Sequence, residues 1–199
     1  MESLWNVKNS KQNYSELEGT DKADVAVVGG GMAGVLTACF LHEKGAKVSL
    51  VTMGELGKGV TGSTTAKISS QHGFIYDSII KKYGVERAQK YLYASELAIK
   101  KYRELSTCVD CDFEDKEAYL FTVRDKSKIE TEAAALSKLG IAPKIVEKSG
   151  LPIKILSALK FEHQAQFDPL KFLYGLNKGF KIYENSKVIS VKGNCVSTE

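Results

Sequence analysis

The chain has 199 residues, 43% hydrophobic and 26% charged, a balance that excludes a disordered polypeptide. Its 28 Lys+Arg against 24 Asp+Glu leave a net charge of +4, too small and too scattered for the clustered basic face of a nucleic-acid binder. No stretch reaches the ~18 apolar residues of a membrane span, and Met1-Glu2-Ser3-Leu4-Trp5-Asn6 lacks the pattern of a signal peptide.

Residues 1–23 are polar and read as an arm. Val25-Ala26-Val27-Val28 is a continuous β-prone run, expected of a strand buried on both faces. A glycine cluster follows, then a helix from Met32 to Lys44 with Val35, Leu36, Cys39 and Phe40 on one side and Gly45 as its stop. Val48–Val51 is a second short strand. The Gly/Thr/Ser-rich stretch 54–73 is a loop with a short helix expected near Ala66. Asp77 to Tyr83 reads as helix up to Gly84. A longer helix runs from about Val85 to Leu105, with Ala88, Leu92 and Ile99 buried together with Tyr91, Ala98, Tyr102 and Leu105.

Cys108-Val109-Asp110-Cys111 is a C-x-x-C, but no second pair or histidine accompanies it, so both cysteines are expected simply to pack. His42, His72 and His163 lie apart from cysteines and carboxylates, and no metal site is expected. Four cysteines without a disulfide-like framework suit the cytoplasm. Ala118–Val123 reads as a strand, and Lys128–Leu139 as a helix closed by Gly140. A loop around Gly150-Leu151-Pro152 leads to a strand over Ala158–Phe167. Asp168-Pro169 is a helix start, an N-cap followed by proline in the first turn, and that helix is expected to end near Gly179. Phe180–Tyr183 and Lys187–Val191 are late strands, and a further one begins as the sequence reaches Glu199.

Gly29-Gly30-Gly31-Met32-Ala33-Gly34 fits G-x-G-x-x-G, and its context gives the match weight: an apolar strand before it, an amphipathic helix after it, a second strand at the right distance. Gly29 permits the tight turn, Gly31 lets backbone approach a pyrophosphate, and Gly34 allows the helix to pack closely on the strand. The N–H groups at Met32 and Ala33 open the helix and face the phosphates with its positive end. The position that usually carries the ribose-binding acid, eighteen residues beyond Gly34, is Thr52. Glu55 is a candidate to reach back to a ribose, and Lys58 a candidate for the 2′-phosphate of NADP. The motif by itself therefore leaves the dinucleotide open.

The stretch Gly57-Lys58-Gly59-Val60-Thr61-Gly62-Ser63-Thr64-Thr65-Ala66-Lys67, with Ser70-Gln71-His72-Gly73, resembles the flavin-contacting loop of FAD-dependent oxidoreductases related to D-amino-acid oxidase and glycine oxidase. Ser3-Leu4-Trp5, Cys111-Asp112-Phe113-Glu114 and Gln164–Pro169 extend the resemblance, which is closest to a bacterial branch often fused to a C-terminal Rieske domain. It implies an α/β fold: a Rossmann-like FAD-binding domain (24–111, returning at 168–199) with an α+β substrate-side insertion at 112–167. It implies FAD on Gly29, Gly31, Met32, Ala33, Gly34 and Thr52, with Thr61, Thr64 and Thr65 along the pyrophosphate and isoalloxazine. Lys67 would stand near the flavin ring, and Val188 would begin a strand bordering the adenine. The implied reaction is oxidation of a C–N bond in an amine or amino acid by hydride transfer to flavin. The resemblance places a further glycine loop and half of the substrate domain beyond residue 199. The chain is therefore expected to be an N-terminal part, inactive alone, with a sheet edge open to self-association or a partner chain. Two other readings stand beside it: an NAD(P)-dependent dehydrogenase, for which Tyr174-x-x-x-Lys178 offers a tyrosine–lysine pair, and a non-catalytic nucleotide-binding remnant.

Overall fold

Ser3 accepts a hydrogen bond from the Trp5 N–H (3.3 Å) and opens a short helix, α1 (Leu4–Lys8), within the polar arm. The computed structural model describes residues 3–9, 12–148, 150, 152–176 and 179–199. Leu151 and Lys178, and with Lys178 the tyrosine–lysine pair, lie outside the described residues. The chain divides into two units: Met1–Ala66 with Cys108–Asp112 and Phe167–Glu199, and Lys67–Thr107 with Phe113–Gln166.

In the first unit the two apolar tetrads become β1 (Val25–Val28) and β2 (Val48–Val51), joined through the helix α2 (Met32–Glu43). They pair in parallel from Val25↔Val48 to Val28↔Val51, as a strand–helix–strand crossover requires. Gly45, with φ of 88°, turns the chain out of α2 in a conformation that favours glycine. β2 is buried along its whole length, but β1 is not buried on both faces as expected: Val27 is buried, while Val28 is 55% exposed. β1 is an edge strand of this sheet, and α2 covers only the Val27 side, where that valine lies 3.7 Å from the Cβ direction of Gly34.

The second unit continues the chain as β3 (Lys67–Ile68), α3 (Tyr76–Tyr83), α4 (Val85–Ser106), β4 (Glu114–Thr122), α5 (Lys126–Lys138), β5 (Lys144–Val146) and β6 (Ser157–Gln166). β6 is central and antiparallel to every neighbour, with β4 on one side and β3 and β5 on the other. A bulge between Lys116 and Ala118 coincides with His163 at φ 59° on the opposing strand. Gly84 (φ 82°) both ends α3 and opens α4. The core unites α3, α4 and α5 with the sheet through Tyr76, Ala88, Leu92, Ile129, Leu136 and Leu159. Residues 67–107 thus share a core with 113–166, whereas the sequence assigned them to the nucleotide-binding segments. The reason is a shared apolar stripe, which chain order does not reveal. On α4 that stripe is narrower than expected, since Tyr91 and Ala98 are exposed. No helix forms near Ala66; a 3₁₀ turn occupies Thr61–Ser63, and Lys67–Ile68 pairs with β6 instead.

Returning to the first unit, Asp168 caps α6 (Pro169–Gly175) by accepting from the N–H groups of Leu170 and Lys171 at 3.0 and 3.1 Å. Within the described residues this helix ends at Gly175, not near Gly179. β7 (Lys181–Tyr183) adds in parallel to β2, giving the order β1-β2-β7. β8 (Val188–Lys192) and β9 (Cys195–Thr198) form an antiparallel hairpin, with Gly193 (φ 56°) in its turn. Cys111 is buried but Cys108 is exposed, so only one of the pair packs as expected, and neither is in a disulfide. Among the described residues no cluster of metal-ligating side chains occurs, and no helix is long and apolar enough to cross a membrane.

Candidate dinucleotide site

The glycines divide their labour as their geometry dictates. An ideal Cβ on Gly34 would stand 1.9 Å from the Gly29 carbonyl oxygen, so only glycine lets α2 come this close to the end of β1. Gly29 has φ of 114°, in the region that favours glycine, and its N–H extends the β1–β2 ladder to the Val51 carbonyl at 2.8 Å. A Cβ on Gly31 would find only the Thr61 Oγ1 within 4 Å, at 3.3 Å. That space is a cradle which a side chain would fill. The first N–H groups of α2 have no partner inside the helix, which suits an anion.

Thr61 lies on this turn. Its Oγ1 accepts the Met32 N–H at 3.0 Å. A hydroxyl that accepts still has one proton to donate, so Thr61 can pass the polarity of the α2 terminus outward to a phosphate oxygen. The loop after β2 is joined to the turn a second time, where the Gly57 N–H donates to the Gly30 carbonyl at 2.8 Å. Thr52 stands at the end of β2, buried, with its Cβ and Oγ1 each 2.9 Å from the Cβ direction of Gly30. Its backbone bonds both ways: N–H to the Tyr183 carbonyl, carbonyl from the Ser186 N–H, each 2.9 Å. Glu55 and Lys58 pair with each other at 3.0 Å.

The structure therefore brings Gly29, Gly31, Met32, Ala33, Gly34, Thr52 and Thr61 to one place. Thr64 is held by its carbonyl, which accepts the Trp5 Nε1–H at 2.8 Å, while Thr65 is exposed. Val188 is half-buried in the β8–β9 hairpin, two residues after the Ser186 that bonds Thr52. Lys67 is exposed and lies in β3 of the second unit.

In the first unit, sequence reading missed the buried acid Glu184, which is 4% exposed. Its Oε1 accepts the Leu56 N–H at 2.6 Å and its Oε2 the Tyr14 N–H at 3.3 Å, so it fixes the loop after β2 and the N-terminal arm together. The available signal was an acid placed directly after the β-prone Lys181-Ile182-Tyr183. Burial first, and then the nearby Glu184, push the Tyr174 phenol above its ordinary value.

Residues 24–199 match the family model described as FAD dependent oxidoreductase (DAO). A Bacillus subtilis protein named for a Rieske 2Fe-2S iron-sulfur centre, YhfW, is 32% identical over 200 residues, covering 96% of this chain and 39% of that protein. Among solved structures, glycine oxidase from Geobacillus kaustophilus superposes with a TM-score of 0.72 at 16% identity, over 90% of this chain and 52% of that one. L-amino acid deaminase from Proteus vulgaris gives 0.69 at 18%, over 94% and 46%. The chain thus spans about half of these proteins or less. At such identities the two structures show the shared fold. The family match covers most of the chain, and with the glycine turn in place the chain belongs to the FAD dependent oxidoreductase (DAO) family, whose cofactor is FAD.

Proposed function

We propose that these residues supply the ADP-binding part of an FAD-dependent oxidoreductase that oxidises the C–N bond of an amine or amino acid. One observation carries the cofactor half of this reading: the cradle over Gly31, with the α2 terminus beneath it and the Thr61 hydroxyl at its rim. Gly31 and Ala33 would hold the pyrophosphate through backbone N–H groups, and Met32 indirectly, through the remaining proton of the Thr61 hydroxyl that accepts its N–H. Thr52 would meet the ribose through a hydroxyl, without the charge assistance of an acid. The flavin, when bound, supplies the hydride acceptor.

The substrate class rests on the names of glycine oxidase and L-amino acid deaminase among the structural neighbours. Catalysis is proposed for a polypeptide of the relatives' length; residues 3–199 by themselves are proposed to grip the ADP half without turning over substrate. Thiols outside disulfides support a reducing compartment. Equilibrium binding of FAD, ADP and NADP to the purified protein tests the reading. Expected is competition between FAD and ADP for one site, with NADP weaker than both. Tight NADP binding with no affinity for FAD overturns it.

A further inference from the structure

The N-terminal helix α1 lies outside residues 24–199, the part of the chain that the family model matches. It buries none of its residues, and Leu4 and Val7 are 66% and 69% exposed. Apolar contact is confined to the half-buried Trp5 ring. Directed polar contacts add to it. Trp5 Nε1 donates to the Thr64 carbonyl at 2.8 Å. Asn9 Nδ2 donates to both carboxylate oxygens of Asp168, at 3.1 and 2.9 Å, and Lys8 pairs with Asp112 at 2.5 Å. Asn6 Oδ1 stands 3.2 Å from the Cβ direction of Gly62, so the helix lies directly on the 3₁₀ turn that carries Thr61.

The two acidic anchors differ in burial. Asp168 is 1% exposed and already caps α6. Asp112 sits at φ 51° between Lys8 and Lys171, whose ammonium groups hold its carboxyl below the usual carboxylate range. Among the described residues, Thr64 has besides Trp5 a local contact, its Oγ1 accepting the Ala66 N–H at 3.3 Å. The contacts thus run from Asp112 and Asp168, across α1, to the far end of a loop whose start is held by the Gly57–Gly30 and Thr61–Met32 hydrogen bonds.

We propose that residues 3–9 are a positioning strap that holds the Thr61–Thr64 loop against the start of α2, with Trp5 as its working contact. Cofactor affinity is then set partly from outside the family's common core. The consequence for FAD rests on the cofactor reading above; the restraint on the loop does not. Thr61 can aim its proton at a phosphate only while its Oγ1 stays on the Met32 N–H, and the strap limits the motion that would break that bond.

The test compares wild type with Trp5→Phe, which keeps an apolar ring and removes the donor, and with Val7→Ser on the exposed face of α1. Hydrogen exchange of the Gly57–Thr65 amides is followed without cofactor, and FAD affinity is measured by titration. Expected for Trp5→Phe are faster exchange confined to that loop and a dissociation constant for FAD raised about 3–10-fold, as the loss of one hydrogen bond gives. The thermal midpoint should stay that of wild type, and Val7→Ser should match wild type throughout. Unchanged exchange in Trp5→Phe overturns the strap. Faster exchange with unchanged affinity overturns its role at the cofactor. Wild-type protein that takes no FAD overturns the cofactor reading, and exchange alone then decides the strap.

Discussion

Glu132 in the second unit and Glu184 in the first are both withdrawn from water, at 1% and 4% exposure, and both accept backbone N–H groups. Their partners differ. Glu132 projects from α5 onto the start of α3, taking the N–H groups of Ile75, Tyr76 and Asp77 at 3.0, 2.8 and 3.2 Å and the Gln71 side-chain amide at 2.8 Å. It completes a helix terminus and welds two helices into one core. Glu184 instead takes one N–H from each of two irregular segments, at Leu56 and Tyr14. The same chemistry serves architecture in one unit and loop placement around the proposed cofactor cradle in the other. Burial alone does not separate these roles; the nature of the partner segment does.

The comparison is sharpest at Glu132. Replacing it with alanine strands three backbone donors and one side-chain amide, each costing roughly 1–3 kcal/mol with partial rescue by water, so a loss of about 3–5 kcal/mol in unfolding free energy is expected by denaturant titration. FAD affinity per folded molecule should not change. If it falls, Glu132 is not purely architectural. Glu184→Ala should cost less, about 1–3 kcal/mol, yet weaken FAD binding beyond what that loss explains. Equal affinity in titrations of the variant and wild type would erase the distinction drawn here.

Gly31→Val isolates the cradle from both glutamates. Its Cβ meets only the Thr61 hydroxyl, so a stability change under about 1 kcal/mol is expected together with loss of FAD binding. Wild-type affinity in that variant would make Gly31 an ordinary turn residue. The smallest effect is a pH dependence confined to the first unit. The Lys181 ammonium, then the Ser49 hydroxyl, hold Asp21 well below its ordinary 3.8. Its contribution is complete above that value and is lost as pH falls through the folded one. Acid titration should therefore narrow the stability gap between wild type and Asp21→Asn; a gap that stays constant down to pH ~2 removes Asp21 from the account.

Local chemistry was legible in the sequence, and distant pairing was not. The ends of α2, α3 and α5 at Gly45, Gly84 and Gly140 and the start of α6 at Asp168-Pro169 follow from dihedral preference and capping, which adjacent residues decide. The same holds for the glycine turn, where spacing encodes the geometry. The Thr61 turn was misplaced toward Ala66 because Ala66 adopts φ 56° and the next two residues are recruited by a strand about a hundred positions away. Tyr91 and Ala98 read as core because helical period defines a face but not how wide its partner is. The acid after Lys181-Ile182-Tyr183 marked Glu184 only weakly, for a related reason: it satisfies backbone N–H groups, and those carry no residue identity to match.

The placement of the four thiols gives this molecule an internal clock. Cys39, Cys108, Cys111 and Cys195 all belong to the first unit, and the second has none. Cys108 and Cys195 face solvent, whereas Cys39 and Cys111 are 5% and 1% exposed. An alkylating reagent should add two mass increments at once and the remaining two only when the first unit opens. The second unit contributes nothing to that signal. Comparing the slow increments with the loss of helical circular dichroism would then tell whether the two units melt together or one after the other.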